Sequence, residues 1–493
     1  MHGVWENSTP YKIMHEAPIG TGLWSSVYLA TPTTTAGGRQ SPTTNAQQYT
    51  SKLTPETPPP TPIRRRGQSN SVSSTDSYMT QFSSSTAASY PTTQPTPINS
   101  GNDHPTSPSA APSAIWAIKA PADRTAFSVI RSEARMLTHI LASTTTSSPT
   151  DFMVPFLGLD PRSGGLLMQA LPLTLDDLIR GDLASSFSND EKGETARARV
   201  VAGLFPRLAG RLLAGLQWLH EEAGVVHADV KPSNILLRPK GEGRAEAMIR
   251  RRLLPRRGDE GEMMVKGEAL GRPSLVVRRR GSGGSEEEGG EGGGDVDEDE
   301  EDVRIIDFEP LYTDFSAAIP IHPVPSPSSN PTTTTTPSIF SPPSSPTTTT
   351  TTIATAPPPH LAGGTWDFLA PELCRLHPAP QPPSPASDVY ALGVSLVCVV
   401  LGESPFEALA GGNAFRKREM VKCGDAVGFA REVLPRGRFG RVKRVVAGGM
   451  WRAKGNGEAW DWERWLRRGL MKRVEMRAGA GEWREEVEGL VRG

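Results

Sequence analysis

The chain has 493 residues, enough by length alone for about three ordinary domains. Only 36% are hydrophobic, below the roughly 45% of typical globular chains, and the 46 prolines and 49 glycines cluster. One substantial core broken by insertions is therefore expected. A net charge of −1 excludes a general nucleic-acid binder, which carries a large basic excess. Three cysteines (Cys374, Cys398, Cys423), odd in number and out of metal-ligand spacing, exclude a disulfide framework and point to a reduced intracellular setting, cytoplasm or nucleus.

In chain order, the first ten residues lack the apolar stretch of a signal peptide. Residues 11–30 read as two strands around the glycine turn Ile19-Gly20-Thr21-Gly22-Leu23-Trp24-Ser25-Ser26-Val27-Tyr28. Residues 31–113 are rich in Ser, Thr, Pro and Gln and bury too little apolar surface to offset their ordering entropy. A strand follows at 115–120, with Trp116-Ala117-Ile118-Lys119 at its centre. Residues 127–141 then carry Val129, Ile130, Leu137 and Ile140 at helical spacing. Short strands are expected within 153–159 and 166–171. A helix is expected over 201–221, with Leu204, Leu208, Leu212, Leu216 and Leu219 on one stripe. Residues 238–302, running from arginine clusters into glycine-rich acid, and 320–359, with a threonine tract, read as two more insertions unable to pack. The longest apolar run, 389–401, falls short of the ~20 residues that span a bilayer and reads as a buried helix. No membrane association is expected. Strands come first and helices later, an α+β arrangement.

The most informative stretch is Val226-His227-Ala228-Asp229-Val230-Lys231-Pro232-Ser233-Asn234-Ile235-Leu236-Leu237. It sets a carboxylate, an ammonium two residues on and a carboxamide five residues on in a loop before an apolar run. Phosphoryl transfer needs such groups together: one to orient the attacking hydroxyl, one to steady the moving phosphoryl group, one to help hold a metal ion. The stretch resembles the catalytic loop of eukaryotic protein kinases, His-Arg-Asp followed by four residues and Asn. Further pieces in the same order extend the resemblance to nearly all of the chain outside the insertions.

That resemblance implies a two-lobed kinase domain over 11–489, with an N-lobe at 11–168 and a C-lobe at 172–489. It implies ATP and Mg2+ as cofactors, a protein serine/threonine hydroxyl as substrate, and no nucleic acid. Gly20 and Gly22 would approach the phosphates, with Ser25 where a third glycine is usual, and Val27 and Ala117 would line the adenine pocket. Lys119 would touch the α- and β-phosphates and pair with Glu133. Met168 would limit pocket depth, and Gln169 to Leu171 would offer backbone groups to the adenine edge. Asp229 would orient or accept the substrate proton, Lys231 would contact the transferred phosphate, and Asn234 would bind magnesium.

For the second magnesium ligand two candidates stand, Asp307 in Ile305-Ile306-Asp307-Phe308-Glu309 and Asp314 in Tyr312-Thr313-Asp314-Phe315-Ser316. Asp314 fits better, because small Ser316 takes the glycine place and Ala318 follows. Gly364-Thr365 with Ala370-Pro371-Glu372 resembles the end of an activation segment, Glu372 pairing with Arg477. Asp388 matches the aspartate that steadies the catalytic loop. Ala228 departs from the usual arginine, which puts control by loop phosphorylation in doubt. Ala228, Ser316 and the insertions leave a pseudokinase scaffold as the alternative. A nuclear interaction protein using basic clusters such as Arg64-Arg65-Arg66 is a third reading.

Overall fold

A computed structural model describes residues 4–33, 115–144, 146–241, 243–252, 275–279, 302–321, 365–374, 381–433, 437–453 and 458–492. All belong to one compact unit, Met1–Thr35 with Ser113–Gly493; the second unit is Ala36–Pro112. Most of the three expected insertions, and Gly364, lie outside the described residues. The fold is mixed α+β with antiparallel sheets.

The first sheet contains β1 (Tyr11–Ile13), β2 (Gly20–Thr21), β3 (Ser25–Pro32), β4 (Trp116–Pro121), β5 (Phe156–Leu159) and β6 (Leu166–Gln169), in the order β1-β3-β4-β6-β5 with β2 beside β3. Strand side chains alternate between faces. Trp116 and Ile118 of β4 accordingly pack with Ala30 and Leu167 on one side. Ile115 and Ala117 pack with Leu29 and Ala170 on the other. Between β4 and β5 lies α1 (Ala126–Ser143), which buries Ile130, Ala134, Leu137 and Ile140. Glu133 is on that buried face and only 1% exposed. A carboxylate so placed requires a partner.

The second part is mainly helical. β7 (Leu173–Thr174) leads to α2 (Glu191–Glu221), ten residues longer at its start than the leucine stripe suggests. The Asp190 side chain caps it, accepting the Gly193 N–H at 2.7 Å. β8 (Val225–Val226) and β9 (Ile235–Pro239) flank the Asp229 loop. Beyond β9, α3 (Arg244–Arg252), β10 (Val276–Arg279), β11 (Asp302–Ile305), β12 (Phe308–Tyr312) and β13 (Ile319–Pro320) follow. β12 pairs antiparallel with β9, and β13 with β8. Gly215 lets the Tyr312 ring lie against α2, since a Cβ there would sit 2.7 Å from it. Tyr312 Oη then donates to the Leu212 carbonyl at 2.9 Å.

The buried helix read from 389–401 is α4 (Pro385–Leu401), fully buried from Ser387 onward. Ser384 and Ser387 form a reciprocal cap at its start, and Gly402 ends it at φ 92°. Arg197 donates to the carbonyls of Val399 and Val400, and Arg438 to that of Leu401, so two cations meet the negative end of the helix. Among the described residues, no helix is long and apolar enough to cross a membrane.

The reading of 238–302 as unable to pack does not hold for its described parts. β9 runs into it, α3 forms within it, and Val276–Arg279 pairs with Asp302–Ile305. Arginine-rich composition hides the reason. Met248 and Ile249 are buried on one side of α3 while Arg250 and Arg251 face solvent. Each such burial contributes about 1.5–3 kcal/mol. A nine-residue helix is not stable alone, so these anchors are what hold it. The insertion limits at 31 and 320 also shift slightly, because β3 extends to Pro32 and β13 includes Pro320.

Candidate active site

Lys119 is buried in β4, 8% exposed, with its Nζ 2.7 Å from Glu133 Oε2 and 2.8 Å from Asp314 Oδ1. Burial alone would lower its pKa. The two carboxylates outweigh that and hold it above the usual lysine value. Burial would raise Asp314, but the Lys119 charge and hydrogen bond, with help from Ser316 and His227, hold it well below the usual carboxylate range. For Glu133 complete burial dominates and pushes the pKa up, against the pull of Lys119. Both Lys119 and Asp314 are thus charged at neutral pH.

Asp314 adopts the left-handed conformation at φ 61°, which Asp tolerates better than most residues. The turn is held on three sides. The Phe315 N–H donates to Glu133 Oε1 at 3.1 Å, and Ser316 Oγ donates to Asp314 Oδ1 at 2.7 Å. The buried Phe315 ring lies 4.8 Å from the His227 ring.

The loop between β8 and β9 forms a second polar group beside the first. Asp229 Oδ2 accepts from Lys231 Nζ at 2.8 Å and from Asn234 Nδ2 at 2.9 Å. Asn234 Nδ2 also donates to the Asp229 carbonyl at 2.9 Å, and Lys231 reaches Thr365 Oγ1 at 3.2 Å. The groups are joined where the Thr313 N–H donates to the Asn234 carbonyl and His227 Nε2 donates to the Thr313 carbonyl, each at 3.0 Å.

Backbone strain is met by α4. Ala228 has φ 64°, unfavourable for a residue with a Cβ. Asp388 Oδ1 accepts the Ala228 N–H at 2.9 Å, Oδ2 accepts the His227 N–H at 2.7 Å, and His220 Nε2 lies 3.0 Å from Oδ2. Glu372 and Arg477 form the expected pair, a two-point buried bridge at 2.8 and 3.1 Å.

Gly20 pairs with Val27, and Val27 with Lys119, in the sheet register. The Gly22 N–H closes the turn onto the Ser25 carbonyl at 2.7 Å. Val27 and Ala117 belong to one apolar cluster, with Leu29, Ala170 and, from α3, Ile249. Met168 pairs with Ala117 across β4 and β6. The Gln169 N–H goes to the Pro155 carbonyl and the Ala170 N–H to the Ile115 carbonyl. Those two donors of the 169–171 segment are therefore taken by the fold.

Asp307 is elsewhere. It pairs with Arg207 at 2.7 Å on the surface, beside a cavity of about 1290 Å³ that none of the residues around Lys119 and Asp229 lines. Among the described residues no three His, Cys, Asp or Glu side chains gather as a metal-binding group. The oxygens of Asp314 and Asn234 are nevertheless the hard donors magnesium takes, one or two from protein and the rest from water and phosphate. Sequence reasoning missed His220, the Ser316 hydrogen bond and Ile249. Ile249 alone left a sequence signal, as half of the Met248-Ile249 pair at the centre of α3. No protein-family model matches the chain, and no curated protein does.

Proposed function

We propose that this cluster is the active site of a protein serine/threonine kinase that moves the γ-phosphoryl group of ATP to a protein hydroxyl, on a two-lobed kinase-like fold. The observation that carries the reading is the Lys119 ammonium clasped between Glu133 and Asp314, with Asp229, Lys231 and Asn234 on the adjoining loop. Phosphoryl transfer is mostly positioning and charge stabilisation, and these groups supply both.

The chemistry follows from which atoms are already engaged. Asp229 Oδ2 takes two donors, which leaves Oδ1 to accept the substrate hydroxyl proton. Lys231, between Asp229 and Thr365, supplies positive charge beside the attacking oxygen. Lys119 holds the α- and β-phosphates while Glu133 fixes its direction. Asp314 and Asn234 are the residues that would hold magnesium, which would supply neutralisation of the triphosphate charge. Thr365 and Lys231 form the side that meets the peptide. The test is transfer of labelled phosphate from ATP to a generic protein substrate, abolished by Asp229→Asn and by Lys119→Met. Equal incorporation by wild type and Asp229→Asn refutes it.

One observation favours the second reading, a pseudokinase scaffold. Asp314 Oδ1 is already shared by Lys119 and Ser316, which competes with a metal for that oxygen. Thermal stabilisation by nucleotide without any turnover is the outcome that selects it.

A further inference from the structure

We infer that α3, the helix of the second insertion, is an internal plug that competes with the nucleotide base for the apolar face of the first sheet. The inference rests on the nucleotide-binding reading above. Ile249 is 0% exposed and shares one cluster with Leu29, Ile115, Ala117 and Ala170, against which Met14, Ile19 and Val27 also pack. Ile19 and Val27 flank the glycine turn, Ala117 is two residues before Lys119, and Ala170 follows β6. An aromatic base lying between these residues and an isoleucine side chain lying there require the same space.

The helix is built for this position. Gly241 at φ 110° and Gly243 at φ 69° allow the chain to turn out of β9 into α3. Over 244–251, the described side chains of the helix, Met248 and Ile249 are buried, with Ala245 and Glu246 half-buried; Arg244, Ala247, Arg250 and Arg251 face outward. Glu246 and Arg250 pair at 2.6 Å one turn apart. The plug thus holds by a narrow apolar edge under a charged back. Such a helix leaves as a unit when that edge is displaced, because nine residues do not persist as an isolated helix. In the plugged state the polar cluster stays assembled, so release of α3 exposes a site whose charged groups are already in place.

Two variants of the full chain test this: Ile249→Asp, and replacement of 244–252 by a Gly/Ser segment, each checked for native hydrogen exchange in α4. Wild-type α3 amides are expected to be protected, and to lose protection on addition of MgATP or in Ile249→Asp. Both variants are expected to bind MgATP about tenfold or more tightly than wild type, as relief of a closed majority state requires. Unprotected α3 amides in the nucleotide-free wild type overturn the plug. Equal MgATP affinity in wild type and both variants overturns the competition while leaving the nucleotide site standing. If wild-type α3 is protected and Ile249→Asp releases it, but no form binds MgATP, the nucleotide-binding reading falls and the competition with it.

Discussion

Two neighbouring regions are organised on opposite principles. Around Lys119 and Asp229, charged side chains from β4, α1, the β8–β9 loop and the turn after β12 satisfy one another at 2.7–2.9 Å. On the adjoining sheet face, the apolar side chains of Leu29, Ile115, Ala117 and Ala170 pack with one isoleucine of an inserted helix. The polar region cannot lose a member without leaving a buried charge exposed to a low-dielectric interior. The apolar region can exchange one cover for another at little cost, because apolar burial is non-directional. Under the proposed function, a tightly paired polar cluster beside a replaceable cover would divide the chemistry from its control.

The strongest way to break the contrast is Lys119→Met. It is expected to abolish phosphate transfer and to destabilise the fold by about 3–5 kcal/mol, because Glu133 and Asp314 are left facing each other unpaired. Denaturant unfolding checks the second part. A change near zero would mean that the buried pair is no more than ornamental packing. Asp388→Ala comes next. It strands the His227 and Ala228 N–H groups and loosens the backbone strain at Ala228, at about 1–3 kcal/mol per stranded group. Stability and transfer rate are expected to fall together, and a loss of rate alone would place Asp388 in a different role.

The polar half was far more legible in the sequence than the apolar half. Lys119, Glu133, Asp229 and Asn234 were picked out because the motifs around them resemble those of protein kinases; singly, each has an ordinary reading as a solvated strand, helix or loop residue. Local pattern, through Ser316 and Ala318, favoured Asp314 over Asp307 without excluding Asp307. Only the fold shows one against Lys119 and the other on the surface with Arg207. The covering helix was missed because two apolar residues among arginines carry no periodic signal, and Ile249 is buried against a sheet more than 70 residues earlier in the chain. The early start of α2 was missed for a similar reason, since its first turns are polar and only the Asp190 cap marks them.

A smaller effect separates the two aspartates. Asp314 has its folded pKa depressed by Lys119, so its contribution is complete above the unfolded carboxylate value of about 3.9 and fades as pH falls through the lower folded value. Lys119 is raised, so its contribution is complete below about 10.4 and fades only at higher pH. Between about pH 5 and 9 the pair therefore adds no slope to stability. Below about pH 4 the wild type is expected to lose stability faster than Asp314→Asn, measured by denaturant midpoints. Asp307→Asn is expected to follow the wild type, because its surface pair with Arg207 contributes only about 0–1 kcal/mol. Parallel acid curves for all three proteins would remove the distinction.

The smallest expected effect sharpens the comparison most finely, at Gly20. A Cβ built there meets no atom within 4 Å, and the residue is not among the glycines with positive φ. Nothing in the fold itself therefore demands glycine, and Gly20→Ala is expected to leave the unfolding midpoint within about 0.5 kcal/mol of wild type. What glycine offers is close backbone approach to a ligand. The same variant should thus weaken MgATP binding by about tenfold, equivalent to about 1.4 kcal/mol, while stability stays put. A matched loss of stability would show that the turn is structural. Unchanged affinity would show that the phosphates do not pass over β2, and that only the Lys119 side of the cleft touches them.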